Sequence, residues 1–223
     1  IVCSFMENDL LIQNGSEFYT GGNQGWFFKD HRDIAEYGCG IIAICNFLMC
    51  FWKSRFKSNT VISKESFIAF VMLLYKKYLF ILNMPFIKGM TGFSLSKGLN
   101  RYFKDNSISM KAKWGYGCNI LPKVNKSLKA GLPVILGVGP DVLGFLKKNK
   151  GVKAVDIENG NVVDIYAHYV LIYECKEETE DTCFCISSWG RKYKIYYSEF
   201  IKYQKSTILG FLLSNILEIQ NIF

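Results

Sequence analysis

Histidine, arginine and proline are scarce in this chain: two, four and four occur in 223 residues. None of the eight cysteines (Cys3, Cys39, Cys45, Cys50, Cys118, Cys175, Cys183 and Cys185) stands in a CxxC pair. With so little imidazole and no paired thiols, zinc-finger spacings are excluded, and neither a metal nor a cofactor is expected. Most of the cysteines read as small buried hydrophobes in a reducing compartment. Long apolar runs are missing too. The longest lie at 41–45, 47–52 and 67–75, the last stopped by Lys76-Lys77, all short of the roughly 20 residues a span requires. A soluble protein without a membrane span is therefore expected. The chain opens at Ile1 with no initiator Met and no basic-then-apolar leader, which leaves a cytoplasmic location and secretion after removal of a leader equally open.

What is abundant is apolar. Half of the residues are hydrophobic, enough for a single domain with a full core, and disorder is excluded. Lys+Arg 27 against Asp+Glu 19 gives a net charge of +8. The cations are mostly lysines scattered along the chain, a solvated surface and not the Arg-rich, aromatic-interleaved patch of a nucleic-acid binder.

The hydrophobic period changes near Gly131. Before it the patterns are helical: 40–53, 64–77, 94–104 after the cap candidates Thr91 and Ser94, and 120–130 with Asn119 ahead and Gly131 behind. After it the period falls to two, in LPVILGV, VKAVDI, NVVDIY, HYVLIYEC, TCFCISS and KYKIYY, with Asn159-Gly160 marking a hairpin turn. The expectation is one α+β domain over 1–223, mainly helical over 1–131 and mainly β over 132–223, with a cleft between the two lobes.

Cys39 opens the first long helix between Gly38 and Gly40. A helix N-terminus favours an anion, so a thiol there is expected to ionise readily and act as a nucleophile. Such a thiol works with an imidazole, and the candidates are His31 and His168. His31 lies in the charged segment KDHRD and reads as a solvated loop residue. His168 begins the apolar strand AHYVLIYE, 129 residues after Cys39; an isolated histidine in such a strand would be a satisfied core residue, but here a thiol offers it a partner. In CISSWGRKY, a small polar residue on the next strand can orient the imidazole, while Trp189 shields that contact from water.

Taken in order, YGCGIIAICNFL, GLPVILGV, AHYVLIYE and SSWGRKYKIYYSEF resemble the papain-like cysteine peptidases, and among them the bacterial branch that includes bacteriocin-processing (double-glycine leader) peptidases. The resemblance covers roughly residues 22–205. It implies a papain-like fold, a peptide or protein substrate cleaved through a thioester, a preference for small residues at the scissile bond, Cys39 as nucleophile, His168 as base and Ser187 as the residue orienting the ring. Two positions depart from the family pattern. Asp33 stands six residues before Cys39, where the family has a glutamine for the oxyanion hole, so the amide of Gln24 in GGNQGWF is the candidate donor in its place. Ser187 stands where papain-like enzymes have Asn and the bacteriocin-processing branch has Asp; a hydroxyl is shorter and uncharged, so it supports a Cys–His ion pair less. An amidase or acyltransferase using the same site, and a degenerate papain-like domain that binds peptide or a partner, are the alternatives. Sequence alone fixes neither substrate nor oligomeric state.

Overall fold

A computed structural model describes residues 7–84, 87–140 and 151–222; Cys3 lies outside them. The chain is α+β. Its largest element of order is an eight-stranded, fully antiparallel sheet with the order β6-β13-β7-β10-β11-β12-β8-β9. The strands are β6 (Met110–Trp114), β7 (Val134–Val138), β8 (Val152–Asp156), β9 (Val162–Ile165), β10 (His168–Glu177), β11 (Thr182–Ser188), β12 (Arg191–Tyr196) and β13 (Ile216–Asn221). β7 is buried at every position, which explains its unbroken apolar run in place of alternation.

The helices are α1 (Arg32–Tyr37), α2 (Cys39–Phe56), α3 (Lys64–Lys77), α4 (Gly92–Asp105), α5 (Leu121–Lys129), α6 (Tyr197–Ser206) and α7 (Gly210–Leu213). α2 is the core helix. It is buried from Gly40 through Phe51, packs against β10, and over that stretch is apolar nearly all round because it has no solvent face there. By length and composition, 18 residues at a mean hydropathy of 1.3, it could cross a membrane, but 78% of it is enclosed within this protein. The side chain of Ser63 caps α3 by accepting from the Ser66 N–H, and Thr91 with Ser94 forms a reciprocal capping box on α4. Asn119 does not cap α5: that helix begins after Ile120, with a proline in its first turn instead of a side-chain cap.

Two elements of the big sheet come from outside the segment with period two. β6 inserts from the helical half and pairs with the near-C-terminal β13, which in turn pairs with β7. In the first 31 residues, β1 (Leu11–Asn14) and β2 (Glu17–Thr20) form a hairpin around Gly15, φ 62°, and β3 (Ile62–Ser63) adds to it in parallel. A further hairpin, β4 (Leu82–Met84) with β5 (Ile87–Gly89), precedes α4. The Asn159-Gly160 turn does join β8 to β9, with Gly160 at φ 75°. The carboxylate of Asp156 holds that turn by accepting from the Glu158 N–H at 2.8 Å and the Arg191 Nη1 at 3.2 Å.

Candidate active site

The start of α2, the start of β10 and the end of β11 meet at one small cavity. Its walls include Gly22, Gln24, Cys39, Asn46, His168, Ser187, Ser188 and Trp189, and it has room for about one water molecule. All four residues singled out in the sequence, Cys39, His168, Ser187 and Gln24, therefore face a common space.

Cys39 occupies the first position of α2, and the backbone N–H groups of Tyr169, Gly40 and Cys39 around it act to lower its pKa. Those donors favour a thiolate, as expected for a helix N-terminus. Burial outweighs them, and the thiol is held above its usual value. The residue keeps part of its surface, but the sulfur itself is deep enough for desolvation to dominate. The expected easy ionisation is thus reversed: in the resting site Cys39 is a neutral thiol. Cys45 and Cys50, further along α2, are fully enclosed and pushed higher still by burial, the state of inert packing residues.

His168 is only 9% exposed, and burial lowers its pKa from 6.5 to about 4. Its Nε2 lies 2.8 Å from the Ser188 Oγ, and Trp189 stacks on the ring at a centroid distance of 4.5 Å and 15° between planes. Nδ1 makes no hydrogen bond among the described residues. The ring is thus gripped on one nitrogen and one face, while the other nitrogen stays uncommitted.

The imidazole bonds to Ser188, not to Ser187. The Ser187 hydroxyl donates to the Thr20 carbonyl at 2.7 Å and makes no hydrogen bond to the imidazole among the described residues. The cause is the backbone of residues 20–22, which runs directly over Ser187. A Cβ on Gly21 would fall 2.2 Å from the Ser187 Oγ and 2.7 Å from the Asn46 Nδ2, and the residue has φ +78°. Asn46 anchors the same segment by accepting the Gly22 N–H at 2.9 Å. Gly21→Ala is therefore expected to cost about 2–4 kcal/mol, from a left-handed backbone and a buried clash together. Urea unfolding checks this; a loss below about 1 kcal/mol would mean that the segment can swing away from Ser187 without penalty.

Gln24 begins a 3-10 turn, Gln24–Phe27, and its Nε2 donates to the Ala35 carbonyl at 2.8 Å. One amide hydrogen remains beyond that bond, at the wall of the cavity. Asp33 is turned to other work: its carboxylate accepts from the Ile34 N–H at 2.9 Å and from the Tyr75 hydroxyl, and it does not line the cavity. His31 is the residue preceding α1, half-buried and away from the cavity wall.

No family model, curated protein or solved structure matches the chain. The site must be read from its own chemistry.

Two more residues, Asn46 and Ser188, line the cavity. Asn46 had a usable signal: it is the one polar side chain in the apolar stretch 40–52, and it stands seven residues after Cys39, on the same helix face. Ser188 is adjacent to the residue chosen, and its role depends on the turn that follows. Trp189 and Gly190 both have positive φ, 49° and 76°, between the paired residues Ser188 and Arg191, the form of a two-residue type I′ hairpin. Ala167, just before His168, is also left-handed at φ 46°. Non-glycine residues in this region cost on the order of 1–3 kcal/mol each, and both of these flank the imidazole. Three other such residues among those described, Lys57, Ser107 and Leu209, lie elsewhere.

Proposed function

We propose that the chain is a papain-like cysteine peptidase. What carries the reading is the arrangement of a helix-terminal thiol and a buried histidine on one cavity, the ring bonded through Nε2 to Ser188 and covered by Trp189 so that Nδ1 is left for proton transfer. In the proposed cycle Nδ1 takes the Cys39 proton as Sγ bonds to the substrate carbonyl carbon. The same proton passes to the leaving amine as the C–N bond breaks, giving a thioester. Water, deprotonated by Nδ1, then attacks the thioester carbon; the C–S bond breaks, the carboxylic acid leaves, and Nδ1 returns the proton to the Cys39 sulfur. The Cys39 N–H and the second hydrogen of Gln24 Nε2 are the candidate donors to the oxyanion. A preference for small residues at the scissile bond is implied by the resemblance to the bacteriocin-processing branch alone.

The burial that holds both thiol and imidazole neutral gives a second reading its support: a degenerate domain of the same fold that binds a peptide without cutting it. Iodoacetamide at limiting concentration, followed by peptide mapping, separates the two. The enzyme is expected to alkylate at Cys39 well ahead of every other cysteine near pH 7; uniform slow labelling would favour the degenerate domain.

Ser188→Ala gives a sharper test of the ring's support. Losing the Nε2 partner is expected to slow Cys39 alkylation at pH 7 about tenfold. Ser187→Ala should leave that rate within about twofold while lowering stability by roughly 1–2 kcal/mol, because the buried Thr20 carbonyl loses its donor. Equal effects of the two substitutions on the rate would remove Ser188 from the site.

A further inference from the structure

A second and much larger cleft, of about 610 Å3, opens between the C-terminal half of α2, β3 and the start of α3. Lys53 lies fourteen residues beyond Cys39 on α2, about 21 Å along the helix axis, so this cleft is separate from the candidate active site. Its walls are aromatic and apolar. Trp52 and Phe56 stack at 5.4 Å with 10° between planes, and Phe70 and Met49 line the same space. Phe56 is 69% exposed at the rim.

One wall residue does not belong in an apolar pocket. Lys53 is 7% exposed and lines the cleft, yet its ammonium makes no hydrogen bond and no ion pair among the described residues. The nitrogen is not sealed in, and Asp9 only attracts it through space, so its bonding capacity is open to a ligand. The first turn of α3 supplies a further positive feature: Ser63 and Ser66 line the cleft at the N-terminus of a 14-residue helix, the end that favours an anion.

We infer that this cleft binds a small carboxylic acid with an apolar body, its carboxylate on Lys53 and its chain between Trp52, Phe56 and Phe70. The volume lies within the usual range for small-molecule sites, roughly 300–1,000 Å3. A carboxylate satisfies the lysine with a charge-assisted bond, which a neutral ligand cannot do as well.

Octanoate and octan-1-ol, titrated separately into the intact protein by calorimetry at pH 7, test the assignment. Octanoate is expected to bind with a stoichiometry of one and at least about tenfold tighter than the alcohol. Lys53→Met should erase that tenfold preference, since the cation that meets the carboxylate is removed. Phe56→Ala, at the rim, should weaken acid and alcohol alike and provides a check that does not touch the charge. The assignment is overturned if octanoate fails to bind at millimolar concentration, if acid and alcohol bind equally to the parent protein, or if Lys53→Met keeps the preference.

Discussion

Alkylation of Cys39 is expected to follow pH in two steps, and His168→Ala is expected to erase the first. In the parent protein the rate should rise through about pH 4, where burial has placed the imidazole, hold a plateau across neutrality, and rise again only at alkaline pH, where the thiol ionises by itself. The plateau arises because neutral His168 can accept the thiol proton as sulfur attacks. The alkaline step lies above the ordinary thiol range because burial holds the Cys39 thiol up. Without the imidazole the plateau has no base, and the rate at pH 7 should fall about 100-fold or more, the usual contribution of a positioned general base. The alkaline limb should survive, since it needs only the thiolate. His31→Ala should leave both limbs within about twofold, because that side chain is not on the cavity wall. The measurement is the second-order rate of iodoacetamide labelling between pH 3.5 and 10, followed by mass spectrometry. A His168→Ala profile that superimposes on the parent would end the peptidase proposal. A single alkaline limb in the parent itself would favour the degenerate domain.

The elements that place this site were legible where physics is local. α2 announces itself by an apolar run too long for a strand, and α3 and α4 by serine and threonine caps at their entrances. β10 and β11 follow from β-branched and aromatic runs bounded by turns, and their neighbours β7 and β12 likewise. Pairing at long range was not legible. β6 is a five-residue alternation of Met110, Ala112 and Trp114 inward with Lys111 and Lys113 outward, and it is settled as a strand only by β13, more than a hundred residues later. β13 itself, ILEIQN, lies beside both β6 and β7; nothing in those six residues specifies two partners.

The same division runs through the site. That Cys39 begins a helix and His168 a strand can be read from nearby residues. Which of two adjacent serines meets the ring cannot, because it depends on residues 20–22 arriving from the far end of the chain to occupy Ser187. The ionisation of Cys39 departs from the sequence expectation for a related reason. A helix terminus is visible in sequence, but the depth at which it is buried is a property of the whole packed core, and here depth prevails over the dipole. The two glycines that flank Cys39 have a steric reason on both sides. A Cβ at Gly40 would press on Leu95 at 2.8 Å and Tyr169 at 3.3 Å, and one at Gly38 would strike the Ile34 carbonyl at 2.5 Å. The glycines let α1, α4 and β10 close around the thiol.

Acidification should destabilise this protein through His168 in particular. In the unfolded chain the imidazole titrates at its ordinary 6.5, whereas in the fold burial lowers it to about 4. Between those values the unfolded state binds a proton that the folded state refuses, so stability rises with pH across this window and is lost as pH falls through it. A shift of this size corresponds to about 3 kcal/mol at most, fully present above pH 6.5 and gone below about pH 4. Carboxylates titrate in the same region, so the effect is isolated as a difference between proteins. His168→Leu has no proton to bind, and its unfolding free energy, from urea titrations at pH 7.5, 5.5 and 4.5, is subtracted from that of the parent. Lost contacts with Ser188 and Trp189 add an offset that does not depend on pH. The parent's advantage over the variant is expected to shrink by roughly 2–3 kcal/mol from pH 7.5 to 4.5, most of it below pH 6.5. A difference that stays constant across the range would mean that His168 takes up a proton in the fold as readily as in the unfolded chain. The ring would then be solvated or paired with an anion such as a Cys39 thiolate, and the neutral resting pair that underlies the two-step labelling profile would be wrong.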